Sequence, residues 1–153
     1  MLYLPDMERA TGGIVSVEAL VNMQRTLDIG CGMGAYVNAM RQRGSQGKFV
    51  GVDVTRYTRS NSYNEYEHLI FEDIRLPKTL EEVNRQIYDC VISIGLPPQA
   101  FDFVARSYKQ FRLFSNSLVV LVTDHHISDN QYADFSVYHG TMVVDESILV
   151  KME

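Results

Sequence analysis

The segment RTLDIGCGMGAYV, Arg25–Val37, sets Gly30, Gly32 and Gly34 at alternate positions directly after a short apolar run. Glycine costs chain entropy and packs no side chain, so such a cluster needs a purpose. It can serve a tight turn, or it can bare the backbone so that a ligand lies against it. Where a loop of this kind opens a helix, the unpaired N–H groups of the first turn also attract an anion. Dinucleotide sites favour G-x-G-x-x-G, with a pyrophosphate over the helix. Here the spacing is G-x-G-x-G, preceded by Asp28. A carboxylate beneath the loop opposes a pyrophosphate and suits a ligand with ammonium and sulfonium groups. Farther along, TDHHIS (Thr123–Ser128) offers His125 and His126 as candidate general bases near neutral pH. Neighbouring side chains diverge, which makes Asp124 with the two histidines an awkward ligand set, and no metal is expected.

These residues need a frame. RTLDIG (Arg25–Gly30), KFVGVDV (Lys48–Val54), HLIFEDI (His68–Ile74), YDCVISIG (Tyr88–Gly95) and SLVVLVT (Ser117–Thr123) are short, β-branched and apolar, and each reads as a strand. Their near-continuous apolar character suits strands covered on both faces of a parallel sheet. Helical spacing follows the first, third and fourth: Tyr36, Val37 and Met40; Leu80, Val83 and Ile87 behind a Thr79/Glu82 capping box; Phe101, Val104, Ala105, Tyr108 and Phe111 behind two prolines. A further helix is expected over SVEALVNM (Ser16–Met23), and the segment before it reads as bare. The polar stretch RYTRSNSYNEYE (Arg56–Glu67) reads as a loop with at most a short helix. YADFSVYHG and TMVVDESILVKM read as a closing hairpin, with room for only a short loop between Thr123 and Tyr132. The expectation is an α/β sandwich whose sheet is parallel except for one hairpin strand, with the helix before the hairpin reduced or missing. Ligands of such sheets bind at the carboxyl ends of the strands, where the glycines lie.

In this frame LDIGCGMGAY resembles the first motif of the class I S-adenosylmethionine-dependent methyltransferases, and the likeness runs in order from about Ser16 to Met152. The resemblance implies a Rossmann-like sheet of seven strands in the order 3-2-1-4-5-7-6. It implies S-adenosylmethionine as cofactor, against Asp28, Gly30, Cys31, Gly32 and Gly34. FVGVDVT resembles the second strand, so that Asp53, with Val54 beside it, would accept from the ribose hydroxyls. FEDIRLP resembles the loop after the third, where Asp73 would meet the adenine amine and Ile74 the ring. YDCVISIG resembles the fourth, with Ser93, Ile94 and the residues to Leu96 beside the methyl donor. Two simpler roles stay open: Asp53 as a helix cap, and Asp73 as the partner of Arg75. Cys31 and Cys90 would lie too far apart along neighbouring strands for a disulfide and are expected to be thiols.

The acceptor is not written in the motifs. IGLPPQAF carries the two prolines of an exocyclic-amine methylase turn, yet Leu96 and Gln99 replace its polar and aromatic residues. The Lys-Asp-Lys-Glu tetrad of ribose methylases and the cysteine nucleophile of cytosine methylases are missing as well. Arg56, Arg59 and Arg75 gather near the acids, either balancing them or attracting an anionic substrate. With 153 residues and a net charge of −5, one domain spanning 1–153 is expected, and a general nucleic-acid binder is not favoured. Nothing resembles a membrane span or a signal peptide, so the expectation is a cytoplasmic protein without a membrane partner. The reading is a compact methyltransferase whose acceptor site is open or is completed by a partner subunit or second copy. The alternative is a cofactor-binding scaffold that transfers nothing.

Overall fold

Apolar runs of five to seven residues form the centre of the sheet. The computed structural model describes residues 4–57, 60–138 and 142–144. β1 (Arg25–Ile29), β2 (Lys48–Val52), β3 (His68–Ile70), β4 (Tyr88–Ile94) and β5 (Leu113–Val122) are parallel. β6 (Ser136–Tyr138) and β7 (Met142–Val144) add an antiparallel pair, giving the order β3-β2-β1-β4-β5-β7-β6. This is the Rossmann-like α/β architecture and the strand order expected. The turn of the closing hairpin and most of its second arm lie outside the described residues.

Strand alternation sorts the core into two faces. Leu27, Ile29, Val50, Val52 and Val91 pack beneath α4 (Pro77–Val83) and α5 (Pro98–Ser107). Phe49, Cys90, Ile92 and Val120 pack beneath α1 (Leu4–Ala10), α2 (Val17–Val21) and α3 (Ala35–Gln42). The helical stripes behave as their spacing implies. Tyr36, Val37 and Met40 of α3 are buried, as are Phe101, Val104 and Ala105 of α5, with Tyr108 and Phe111 just beyond. In α2, Ser16 caps the helix by accepting from the Ala19 N–H at 3.0 Å. Ser16→Ala is expected to cost about 1 kcal/mol, read as a small fall in the urea midpoint with an unchanged slope.

Four expectations need correction. The N-terminal segment is not bare: α1 buries Leu4 and Met7, and the Thr11 hydroxyl donates to Met7 and accepts from the Val15 N–H. Thr79 and Glu82 form no capping box, because Pro77 fixes the first helical position and moves the cap to Leu76. Thr79 therefore sits inside α4, which ends at Val83, so Ile87 falls outside it. The second and third strands stop early, since edge strand β3 pairs only up to Val52↔Ile70. Asp53 and Asp73 consequently lie in loops beyond the strand ends.

The loop between β5 and β6 contains turns and no helix, as expected. Ile127, Tyr132 and Phe135 from this loop seal the sheet in the helix's place, with Tyr132 6.0 Å from Phe101 and Phe135 4.9 Å from Tyr108. Among the described residues no helix is long and apolar enough to cross a membrane.

Candidate cofactor site

The loop after β1 turns back under the sheet's carboxyl edge through three left-handed residues, Gly30 (φ 76°), Gly32 (φ 54°) and Gly34 (φ 88°). Each conformation disfavours a side chain, but space differs among them. A Cβ on Gly30 would stand 2.8 Å from Leu96, and one on Gly34 2.6 Å from Ser62. At Gly32 it would meet nothing within 4 Å. Packing against Ser62 Cβ thus requires glycine at 34, a Cβ at 30 would have to push aside the tip of Leu96, and the middle glycine faces open space. Gly34 caps α3 without a side-chain hydrogen bond, leaving first-turn N–H groups free.

That open space is the junction of two cavities. The larger, about 470 Å³, lies on the α4–α5 side, with Asp53, Val54, Tyr57, Asp73, Ile74 and Leu96 in its wall. The smaller, about 300 Å³, lies on the α1–α3 side, with Asp28, Cys31, Met33, Tyr36, Ile94 and Leu4. Gly30 and Gly32 line both. The alternation of β1 explains the division, because Ile29 faces one layer and Asp28 the other.

The loop after β2 fixes this geometry. Asp53 accepts from the Gly32 N–H at 2.7 Å and from the Thr55 N–H at 2.9 Å, one on each oxygen. Tyr63 donates to the Gly32 carbonyl at 3.0 Å while accepting from the Tyr57 N–H. Each Asp53 oxygen keeps a lone pair for a ligand hydroxyl. Asp73 is held by Arg75, whose guanidinium reaches both oxygens at 2.7–3.2 Å and draws the carboxyl below its usual range. Arg56 lies over the Phe71 ring, and Arg59 falls outside the described residues.

Asp28 is 3% exposed, and burial pushes its carboxyl up to about 7, against a hydrogen bond from the Tyr66 hydroxyl. The Cys31 thiol is pushed up to about 12 by burial and the nearby acids, and both cysteines are free.

Not every candidate reaches a cavity. Ser93 is fully buried within β4, its hydroxyl has no hydrogen-bond partner among the described residues, and it lines neither space. His125 shares a hydrogen bond with Thr123 and stands edge-on to Phe101; neither it nor exposed His126 lines a cavity wall. Among the described residues no three His, Cys, Asp or Glu side chains converge as a metal ion requires. Leu4, Tyr57 and Tyr66 were not among the sequence candidates. The helical spacing of Leu4 and Met7 was the available signal for the first, while the two tyrosines are hidden in the polar stretch.

A family model for a methyltransferase domain matches residues 21–147, and the chain belongs to that family. No curated protein matches it. Among solved structures, ribosomal protein L11 methylase from Lactobacillus delbrueckii subsp. bulgaricus superposes with a TM-score of 0.58 at 15% identity, over 94% of this chain and 78% of that one. The plantazolicin methyltransferase BpumL, in complex with a monoazolic desmethylPZN analog and SAH, gives 0.51 at 16% identity, over 78% and 48%. The StiE O-MT gives 0.50 at 14%, over 84% and 45%. The likenesses are of fold, and the chain spans under half the length of the last two.

Proposed function

We propose that the chain binds S-adenosylmethionine across its glycine loop and transfers the methyl group to an acceptor at the sheet's carboxyl edge. One observation carries the reading: Gly30 and Gly32 separate two cavities whose acids differ in setting. The larger suits adenosine, with Asp53 accepting from the ribose diol and Ile74 against the base. Asp73 contributes to the base only alongside Arg75, which already occupies both of its oxygens. The smaller cavity suits the amino-acid end, with Asp28 facing the ammonium. Gly32 and Gly95 both line the larger cavity, and a Cβ on either would meet nothing within 4 Å, so the backbone leaves room for a ligand there.

The cofactor supplies a methyl group on cationic sulfur, already activated for displacement. The protein's work is then chiefly placement. Asp53 ties the glycine loop to the loop after β2, and the buried Leu96 side chain supplies an apolar wall. At the mouth of the two cavities Met33, Val54 and Tyr57 are exposed by 54%, 68% and 41%, with Leu76 beside Arg75 at 39%. Such an apolar rim supports an acceptor, partner subunit or second copy that presents apolar surface.

Thermal unfolding tests the reading. At about a hundred times its dissociation constant, S-adenosylmethionine or S-adenosylhomocysteine should add about 2.7 kcal/mol, a rise of several degrees. An unmoved transition at millimolar ligand sinks the proposal, and a rise with NADH alone points to hydride chemistry. Appearance of labelled methyl in an alcohol, amine or carboxylate acceptor separates an enzyme from a scaffold.

A further inference from the structure

Asp28 is an acid in unusual company. The titratable groups around it are Tyr66 from the segment before β3, Tyr36 from α3, Cys31 from the glycine loop, Cys90 from β4 and Asp53 from the loop after β2. All of these are neutral or anionic, and α1 presents only Leu4 to the cavity. Among the described residues no Lys, Arg or His pairs with Asp28. A buried carboxylate without a cation is costly, and the described residues supply none, so a cationic ligand group would offset that cost.

Among the described residues the side chain that bonds to Asp28 is Tyr66, whose hydroxyl donates to Oδ2 at 3.0 Å. The contact is built across a strand. Asp28 on β1 pairs with Gly51 on β2, and Gly51 pairs with Leu69 on β3. A Cβ on Gly51 would stand 2.9 Å from the Tyr66 ring, 2.9 Å from the Cys31 sulfur and 2.8 Å from Leu69. The missing side chain in FVGVDV thus opens the path by which Tyr66 reaches past β2. Tyr66 is itself 8% exposed, with its ring edge-on to Phe49 at 6.5 Å.

We propose that Tyr66 is a positioning residue for the smaller cavity: its hydroxyl orients Asp28 as a carboxylate toward the protonated amine of an amino-acid ligand moiety. The inference rests on the cofactor reading above. The hydroxyl favours the ionised form of Asp28 while burial opposes it. Without the hydroxyl, ionisation moves to higher pH, and a cationic ligand group finds a neutral acid at pH 7.

The test compares two ligands, S-adenosylhomocysteine and 5′-methylthioadenosine, which lacks the amino-acid end, by calorimetric titration between about pH 6 and about pH 8.5. Tyr66→Phe keeps the ring. It should bind S-adenosylhomocysteine about tenfold more weakly at pH 7, recover as pH rises, and leave methylthioadenosine affinity unchanged. Asp28→Asn should be weak toward S-adenosylhomocysteine at every pH, and adding Tyr66→Phe to it should change little. Equal losses for both ligands, a pH profile overlying the parent's, or additive effects in the double variant would overturn the role of Tyr66 with the cofactor reading intact. A parent protein that binds neither ligand would instead remove the cofactor reading.

Discussion

Gly32→Val is expected to leave a folded protein that has lost its response to S-adenosylmethionine. The two effects come apart because of where Gly32 sits. An added Cβ meets no atom within 4 Å, so no packed neighbour is displaced. The fold bears only the backbone cost of a branched residue at φ 54°, on the order of 1–2 kcal/mol. A ligand crossing from one cavity to the other, however, must pass the residue that lines both. Affinity should fall by at least about a hundredfold, erasing the stabilisation by mass action. Gly34→Val should behave differently, since its Cβ would stand 2.6 Å from Ser62 and the fold itself would suffer. A Gly32 variant that still shifts with ligand would mean that the ligand does not cross this loop. Asp53→Ala is the complementary variant, removing the acceptor for ribose together with the clamp on the Gly32 N–H.

A second variant should gain stability as it loses function. Asp28 has a folded-state pKa of about 7 against an ordinary value of 3.8, raised first by burial. An acid shifted upward binds a proton more tightly in the folded state than in the unfolded chain. Its favourable contribution is complete below the unfolded pKa and is lost as pH rises through the folded one. Stability of the ligand-free protein should therefore fall between about pH 4 and about pH 7, from this group, and then level. Asp28→Asn carries no such term. At about pH 8 it should be more stable than the parent by up to about 1.4 kcal/mol for each pH unit by which the pKa is raised, a rise of several degrees, and the difference should shrink towards nothing at about pH 4. The same variant loses the counter-charge for an ammonium, so the rise on adding S-adenosylhomocysteine should largely vanish. A pH-independent difference between the two proteins would show that Asp28 is not the strained group.

The glycine spacing was legible because it is a backbone requirement, and Gly30, Gly32 and Gly34 all adopt left-handed geometry. Parallel pairing was legible too, since near-continuous apolar runs such as KFVGV and YDCVISI suit covered, parallel strands, whereas the strand order followed from the family resemblance alone. What escaped was whatever depends on contact across sequence. Nothing local in NSYNEYE announces that Tyr66 reaches Asp28 rather than solvent, and Gly51 looked like one more residue of an apolar strand. Thr79 was misread because a capping pattern and a proline start compete over the same turn, and proline wins by fixing φ. The histidines looked chemical from their type and their place after β5. Their neighbours, Thr123 and Phe101, could be seen only once α5 and the loop were brought together.

The replacement of the bare N-terminus by α1 bears on timing as well as shape. Seven residues form too short a helix to be stable alone, so α1 persists through Leu4, Met7 and the Val17 N–H donating to Glu8. Releasing it costs those contacts and leaves the sheet intact. Leu4 is also a wall of the smaller cavity. Opening α1 would therefore unwall the smaller cavity without unfolding the sheet, so a ligand seated there would slow exchange of the α1 amides with solvent.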